Sequence, residues 1–205
     1  RKYKPSKEQV DQSEWYQASG DEMALFLDSV LVEGVKGRYI DGQTYLQLDW
    51  IDEAVNEKFY WDEENRQLIY TLPDQIVYAN EETMGSSGKP LVVQQDGQVW
   101  LLSSLVTAYT NVRIDTYDTD NVRRVFVDTS WEPQQLAAVK KKSALRIRGG
   151  VKSAMITEVP SDSEVIVLEQ LDNWSRVRTE DGQVGYLANR RLKETESRTL
   201  VSTFT

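Results

Sequence analysis

The chain has 205 residues and a formal net charge of -9 at pH 7, and it contains neither cysteine nor histidine. The absence of these residue types excludes disulfides, thiol nucleophiles, Ser-His and Cys-His catalysis, and the common ligands of zinc and copper. The negative charge argues against a nucleic-acid partner, because phosphate binding is driven by clustered Lys and Arg.

The length favours two small domains over one, since a single domain usually has about 100–200 residues. Residues 1–23 are mostly polar and are predicted to form a leader or linker. Their first four residues are a short basic stretch, Arg1-Lys2-Tyr3-Lys4, of the kind that often flanks a signal or anchor segment. The alternative is an ordinary solvated terminus.

A β-rich run covers residues 24–32, and Gly34 and Gly37 follow it. This run predicts a buried first strand that ends at the glycines.

An internal repeat organises the part of the chain that follows. The segment Asp41-Gly42-Gln43-Thr44-Tyr45-Leu46 recurs as Asp96-Gly97-Gln98-Val99-Trp100-Leu101. Each Asp-Gly pair predicts a hairpin turn, because glycine accepts the positive φ that such a turn needs. A short helical stretch is expected next, over 49–55 and 103–109, and then a second hairpin, over 59–70 and 114–127. Residues 24–135 are therefore predicted to be an α+β domain with two β-hairpin and helix copies.

Residues 140–194 predict a different domain, a small β-barrel. Six short apolar segments alternate there with turn residues at close spacing. The strands are expected at 144–148, 155–159, 164–168, 174–178 and 184–187, with a last pairing near Leu192. The predicted fold class is mainly β with some α. Residues 195–205 are rich in Ser and Thr and are predicted to be a linker to a missing downstream domain.

The barrel segment resembles the bacterial SH3 family. The resemblance rests on Leu145-Arg146-Ile147-Arg148-Gly149-Gly150, on Val165-Ile166-Val167-Leu168, on Asn173-Trp174-Ser175-Arg176-Val177 and on Asp181-Gly182-Gln183-Val184-Gly185-Tyr186-Leu187. The loop at 151–155 departs from the Pro- and Ser-rich turn that is common in the family. From the residues themselves, Gly182 predicts a turn, and Gly185 leaves room for a neighbouring ring or backbone.

The repeat domain resembles the copper amine oxidase N-terminal-like domain found on exported proteins of Gram-positive bacteria. The residues that carry this resemblance are Tyr39-Ile40-Asp41-Gly42-Gln43-Thr44-Tyr45-Leu46, Phe59-Tyr60-Trp61-Asp62 and Asn65-Arg66-Gln67-Leu68-Ile69. No copper is expected, because a chain without histidine lacks the imidazole ligands of such a site.

The order of these segments resembles the front of a secreted or membrane-tethered bacterial cell-wall protein. The resemblance implies an extracytoplasmic location and a downstream catalytic domain similar to a family 18 glycoside hydrolase, whose catalytic motif is Asp-x-x-Asp-x-Asp-x-Glu. Asp115, Asp118 and Asp120 match part of that motif, but Val122 replaces its glutamate. We interpret this segment as an acidic turn whose side chains cap backbone amides, with adventitious calcium as the alternative. The chain itself is predicted to be neither an enzyme nor a holder of a cofactor or metal.

The aromatic residues, 6 Trp and 10 Tyr, are the stronger functional lead. Exposed rings stack on sugars and peptide backbones, and Trp174 and Tyr186 are the candidates in the barrel, flanked by Asn173 and Arg178. Their alternative role is in the core. These residues predict a module that binds cell-wall peptidoglycan or a related glycan. The alternatives are a structural spacer or intramolecular clamp, and a protein-protein adaptor that adds a strand at a sheet edge.

Overall fold

The computed structural model describes residues 4–118 and 122–199. It divides into two compact units. The central unit consists of Ser19–Thr116 and Arg123–Thr129, and the terminal unit consists of Arg1–Ala18, Tyr117–Val122 and Ser130–Thr205. Both are mainly β, as predicted, with few helices. Within the described residues, no helix combines the length and apolar character that spanning a membrane would need.

The elements up to residue 128 are, in chain order, α1 (Gln12–Tyr16), β1 (Glu22–Leu27), β2 (Val30–Ile40), β3 (Gln43–Gln47), α2 (Leu48–Ala54), β4 (Phe59–Asp62), β5 (Gln67–Thr71), β6 (Ile76–Ala79), β7 (Val92–Gln95), β8 (Gln98–Leu102), α3 (Ser103–Tyr109), β9 (Arg113–Tyr117) and β10 (Arg124–Asp128). The remaining elements are β11 (Gln134–Val139), β12 (Ser143–Arg146), β13 (Met155–Val159), β14 (Glu164–Gln170), β15 (Trp174–Thr179), β16 (Val184–Ala188), a 3₁₀ turn at Asn189–Arg191 and β17 (Leu192–Arg198).

A seven-stranded sheet with the order β7-β8-β3-β2-β1-β10-β9 forms the main layer of the central unit. Strand β1, the first of these strands in the chain, pairs in parallel with β10, although about 100 residues separate the two in the sequence. Phe26 and Phe126 face each other across this pair and stack with ring centroids 4.4 Å apart. The β1–β10 pair therefore joins the beginning and the end of the central unit inside one sheet.

The prediction of one strand over residues 24–32 is wrong. Asp28 and Ser29 both have positive φ, 48° and 65°, and they form a turn that divides the run into β1 and β2. Aspartate tolerates this left-handed conformation better than most residues do. Gly34 and Gly37, which were expected to end the strand, lie inside β2.

Both predicted Asp-Gly turns are confirmed. Asp41 and Gly42 have φ of 48° and 80°, and Asp96 and Gly97 have φ of 53° and 72°. Each turn leads into a five-residue strand and then directly into a seven-residue helix, β3 with α2 and β8 with α3. The second hairpins differ, because β9 and β10 lie in the seven-stranded sheet, whereas β4 and β5 lie in a separate sheet with the order β4-β5-β6.

The terminal unit is built on a second seven-stranded sheet, with the order β13-β12-β16-β15-β14-β11-β17. The five strands predicted for the barrel segment each begin within one residue of the observed start. Strand β11 is not predicted from the sequence, because its residues lie at the end of the predicted repeat domain and in the gap before the predicted barrel domain. It pairs with β14 and β17. Strand β17 extends to Arg198 and therefore includes the first residues of the predicted linker, 195–205.

The predicted leader is divided between the two units, because its residues up to Ala18 belong to the terminal unit and Glu22 begins β1. Residues 6–10 are not free, since their backbone is hydrogen-bonded to Val151 and Met155 of the terminal unit. The first three residues of the basic stretch, Arg1, Lys2 and Tyr3, lie outside the described part of the chain, as do the residues after Thr199.

Two glycines in the terminal unit have the roles expected from the sequence. Gly182 has a φ of 71° in the turn between β15 and β16. Gly185 is packed so tightly that a Cβ atom there would lie 2.7 Å from the carbonyl oxygen of Arg146 and 2.8 Å from the Cγ of Leu145. Glycine at 185 therefore allows β16 to approach β12.

Replacing Gly185 with alanine is expected to destabilise the terminal unit by about 1–3 kcal/mol, the usual cost of overpacking a core. Urea unfolding of the full chain measures this change. Gly150→Ala is the matched control, because a Cβ at 150 would meet no atom within 4 Å. Equal stability of the two variants would contradict the packing argument.

Candidate binding groove

A groove with a volume of about 380 Å³ lies on the surface of the terminal unit. Three separate segments form it: the loop after β12, the turn between β14 and β15 with the first residue of β15, and the middle of β16. The lining residues are Ile147, Arg148, Gly149, Leu171, Asp172, Asn173, Trp174 and Tyr186. Three of the four residues predicted for ligand binding, Asn173, Trp174 and Tyr186, are thus brought together.

Strand alternation places the two aromatic rings on the same face of the sheet. Val177 of β15 and Leu187 of β16 point into the core, so Trp174 and Tyr186, which alternate with them, point to the other face. Trp174 pairs with Ala188 across the strands. Tyr186 is consequently the diagonal neighbour of Trp174. The Cα atoms of such diagonal pairs lie roughly 7–8 Å apart. Both side chains are half-buried, which leaves part of each ring available to a ligand.

The first wall of the groove is the loop at 147–149, which packs against Trp174 through Gly149. A Cβ atom at Gly149 would be 3.0 Å from the Cβ and 3.1 Å from the Cγ of Trp174. The wall therefore fixes one side of the indole, and a side chain at 149 would push the indole away from it.

The second wall is the turn at 171–173, and Asn189 holds it in place. The Nδ2 of Asn189 donates to the carbonyl oxygen of Leu171 at 2.7 Å, and its Oδ1 accepts from the Oγ of Ser175 at 2.6 Å. Its backbone N–H donates to the carbonyl oxygen of Asn173 at 2.9 Å. Asn189 is not predicted from the sequence, because its partners lie in a turn that only the strand pairing brings near.

The groove carries one positive and one negative side chain. Arg148 on the first wall and Asp172 on the second are both exposed. Their formal charges cancel, so the groove does not select a ligand by net charge. It offers aromatic faces for stacking. Arg148 can pair with a carboxylate of a ligand, and Asp172 can pair with an ammonium group.

Arg178, the fourth predicted residue, does not line the groove. It is 2% exposed and pairs with Ile166 near the far end of β15. It lies four positions after Trp174 on β15, which is about 13 Å along a strand. Arg178 points to the same face of the sheet as Trp174. At the Arg178 end of β15 this face is covered, because Ile166, the cross-strand partner of Arg178, belongs to a buried cluster with Leu136.

A second, acidic depression of about 250 Å³ lies elsewhere on the terminal unit. Its four carboxylates all have partners. Glu164 pairs with Arg198, and Glu158 lies 3.5 Å from Lys142. Glu180 accepts from the backbone N–H of Glu164, and Asp181 accepts from Thr179. Among the described residues, no group of three or more acidic side chains is arranged to hold a metal ion.

The Asp-x-x-Asp-x-Asp segment is only partly described. Asp115 is buried in β9. Asp120, which completes the spacing, lies outside the described residues.

Residues 143–193 match the family model of the bacterial SH3 domain, and this segment of the chain is a bacterial SH3 domain. The match contains every residue that lines the groove. An SH3 domain is a non-catalytic binding domain, which is compatible with a chain that is not an enzyme. No match to the chain was found among curated proteins or among solved structures.

Replacing Asn189 with alanine is expected to lower the free energy of unfolding by about 1–2 kcal/mol. The reason is that the carbonyl oxygen of Leu171 and the hydroxyl of Ser175 lose their hydrogen-bond partner. Urea unfolding provides the measurement. Asn173→Ala is the control, since the side chain of Asn173 is exposed and an exposed substitution usually changes stability by less than about 0.5 kcal/mol. A loss as large for Asn173→Ala as for Asn189→Ala would show that Asn189 does not hold the turn.

Proposed function

We propose that the terminal unit binds cell-wall peptidoglycan, or a related glycan, in the groove. In this proposal the chain is a non-catalytic targeting region of an exported bacterial hydrolase. Its location is extracytoplasmic, and its partner in the parent chain is a downstream catalytic domain similar to a family 18 glycoside hydrolase. The observation that carries the proposal is the position of Trp174 and Tyr186, side by side and half-buried in one groove of a bacterial SH3 domain.

The chemistry of peptidoglycan suits the lining of this groove. Its sugar rings have apolar faces that stack on aromatic side chains. Its stem peptides carry carboxylates and, in many cases, an ammonium group, for which Arg148 and Asp172 are partners of opposite sign. A volume of about 380 Å³ is within the range of small-ligand sites and accommodates a short piece of the polymer.

Electrostatic attraction does not support this binding. The chain has a net charge of -9, and wall polymers are anionic, so long-range repulsion opposes the encounter. Stacking and hydrogen bonds within the groove must provide the affinity. Salt screens the repulsion, and retention on an anionic wall is expected to rise or to stay constant as the salt concentration increases.

Replacing Trp174 with alanine is expected to weaken retention of the full chain on insoluble peptidoglycan about tenfold or more, because a buried aromatic anchor is commonly worth more than 1.4 kcal/mol. Co-sedimentation over a range of polymer concentrations measures the effect. Trp131→Ala is the matched control, since Trp131 is an exposed indole of the terminal unit that does not line the groove.

Tyr186→Phe provides a finer test, because it removes the hydroxyl and keeps the ring. Retention close to that of the unmodified chain supports stacking as the main interaction. If Trp174→Ala and Trp131→Ala bind equally, the groove is not the site. If the unmodified chain is not retained at any salt concentration, the spacer or clamp alternative replaces the binding proposal.

A further inference from the structure

Residues 6–10, here called the N-terminal brace, run along the edge of the terminal unit's sheet. The backbone N–H of Ser6 donates to the carbonyl oxygen of Val151 at 2.7 Å. Met155 at the start of β13 donates to the carbonyl oxygen of Glu8 and accepts from the N–H of Val10, both at 2.8 Å. Gln9 and Met155 form a parallel bridge. The brace is thus an added extended segment on the edge strand β13.

The brace is also attached to the interior of the unit through Arg146. This side chain is 5% exposed, and its Nη1 donates to the carbonyl oxygens of Ser6 at 3.0 Å and Ser153 at 2.6 Å. A buried guanidinium needs acceptors for its N–H groups. Arg146 therefore links the brace to the loop between β12 and β13.

That loop continues into the first wall of the groove. The Oγ of Ser153 donates to the carbonyl oxygen of Arg148 at 2.9 Å, and its N–H donates to the carbonyl oxygen of Gly150 at 3.1 Å. Arg148 and Gly149 line the groove, and Gly149 packs on Trp174. A chain of direct contacts thus leads from Ser6 through Arg146 and Ser153 to the wall.

We propose that the N-terminal brace is part of the binding site although it does not line the groove, and that it positions the first wall against Trp174. The inference rests on the proposed function for its effect on ligand affinity. A wall held in one conformation before binding avoids the ordering cost that a loose loop would incur. Release of the brace is expected to weaken retention on insoluble peptidoglycan roughly three- to tenfold by this loss of preorganisation.

The test compares two proline substitutions at neighbouring positions in the full chain. Ser6→Pro removes the N–H that donates to Val151. Lys7→Pro is the matched control, because Lys7 is exposed and contributes none of the brace contacts described above. Proline at 7 favours an extended residue before it, which agrees with an extended brace. Gln9→Ala, which removes a 2.7 Å bond to the carbonyl oxygen of Ile156, is a second variant that involves no change of the backbone.

Two measurements are made on each variant: retention on insoluble peptidoglycan and amide hydrogen exchange at Gly150 and Ser153. Amides of β15 report global unfolding. Faster exchange at Gly150 and Ser153 in Ser6→Pro, with β15 unchanged and retention reduced, supports the proposal. Exchange and retention equal to those of Lys7→Pro would overturn it.

The two proposals fail in different ways. If exchange at the wall is faster in Ser6→Pro, but retention is unchanged while Trp174→Ala loses it, the brace does not affect binding and the proposed function stands. If the unmodified chain is not retained at all, the proposed function fails, and the exchange rates alone uphold or overturn the positioning of the wall.

Discussion

The buried guanidinium of Arg146 is the contact that links the start of the chain to the loop beside the groove. Burial lowers the pKa of Arg146, because desolvation penalises the charged form. The buried N–H groups of the guanidinium need hydrogen-bond acceptors. An N–H group left without an acceptor would cost about 1–3 kcal/mol or more. The carbonyl oxygens of Ser6 and Ser153 fill this role. The position of one side chain on β12 thereby constrains both a segment near the start of the chain and a loop of the barrel.

The second wall has its own support. Asn189 binds the turn at 171–173 through its side chain and its backbone, and it has no hydrogen bond to the first wall among those described. Trp174 lines the groove together with both walls, and Gly149 packs against it. Because different residues hold the two walls, a substitution can loosen one wall and leave the other intact.

The resulting site is suited to recognition, and its side chains explain why. The chain has no histidine or cysteine, and the groove contains a single carboxylate, from Asp172, beside aromatic and apolar surface. Stacking surface with one cation and one anion is an arrangement that fits a ligand with both apolar faces and charged groups.

Local sequence patterns determined much of this protein. The Asp-Gly turns, the helices after each of them, and five strands of the bacterial SH3 segment follow from turn chemistry and alternation over a few residues. The same segment supplies Trp174 and Tyr186 as candidates for ligand binding. The tertiary structure alone decided the rest. It paired β1 with β10, added β11 to the second sheet, placed residues 6–10 on the edge of β13, and buried Arg178 on the face where Trp174 is accessible. These outcomes depend on backbone hydrogen bonds and packing between segments far apart in the chain, and a local pattern carries no information about which distant strand will be its neighbour.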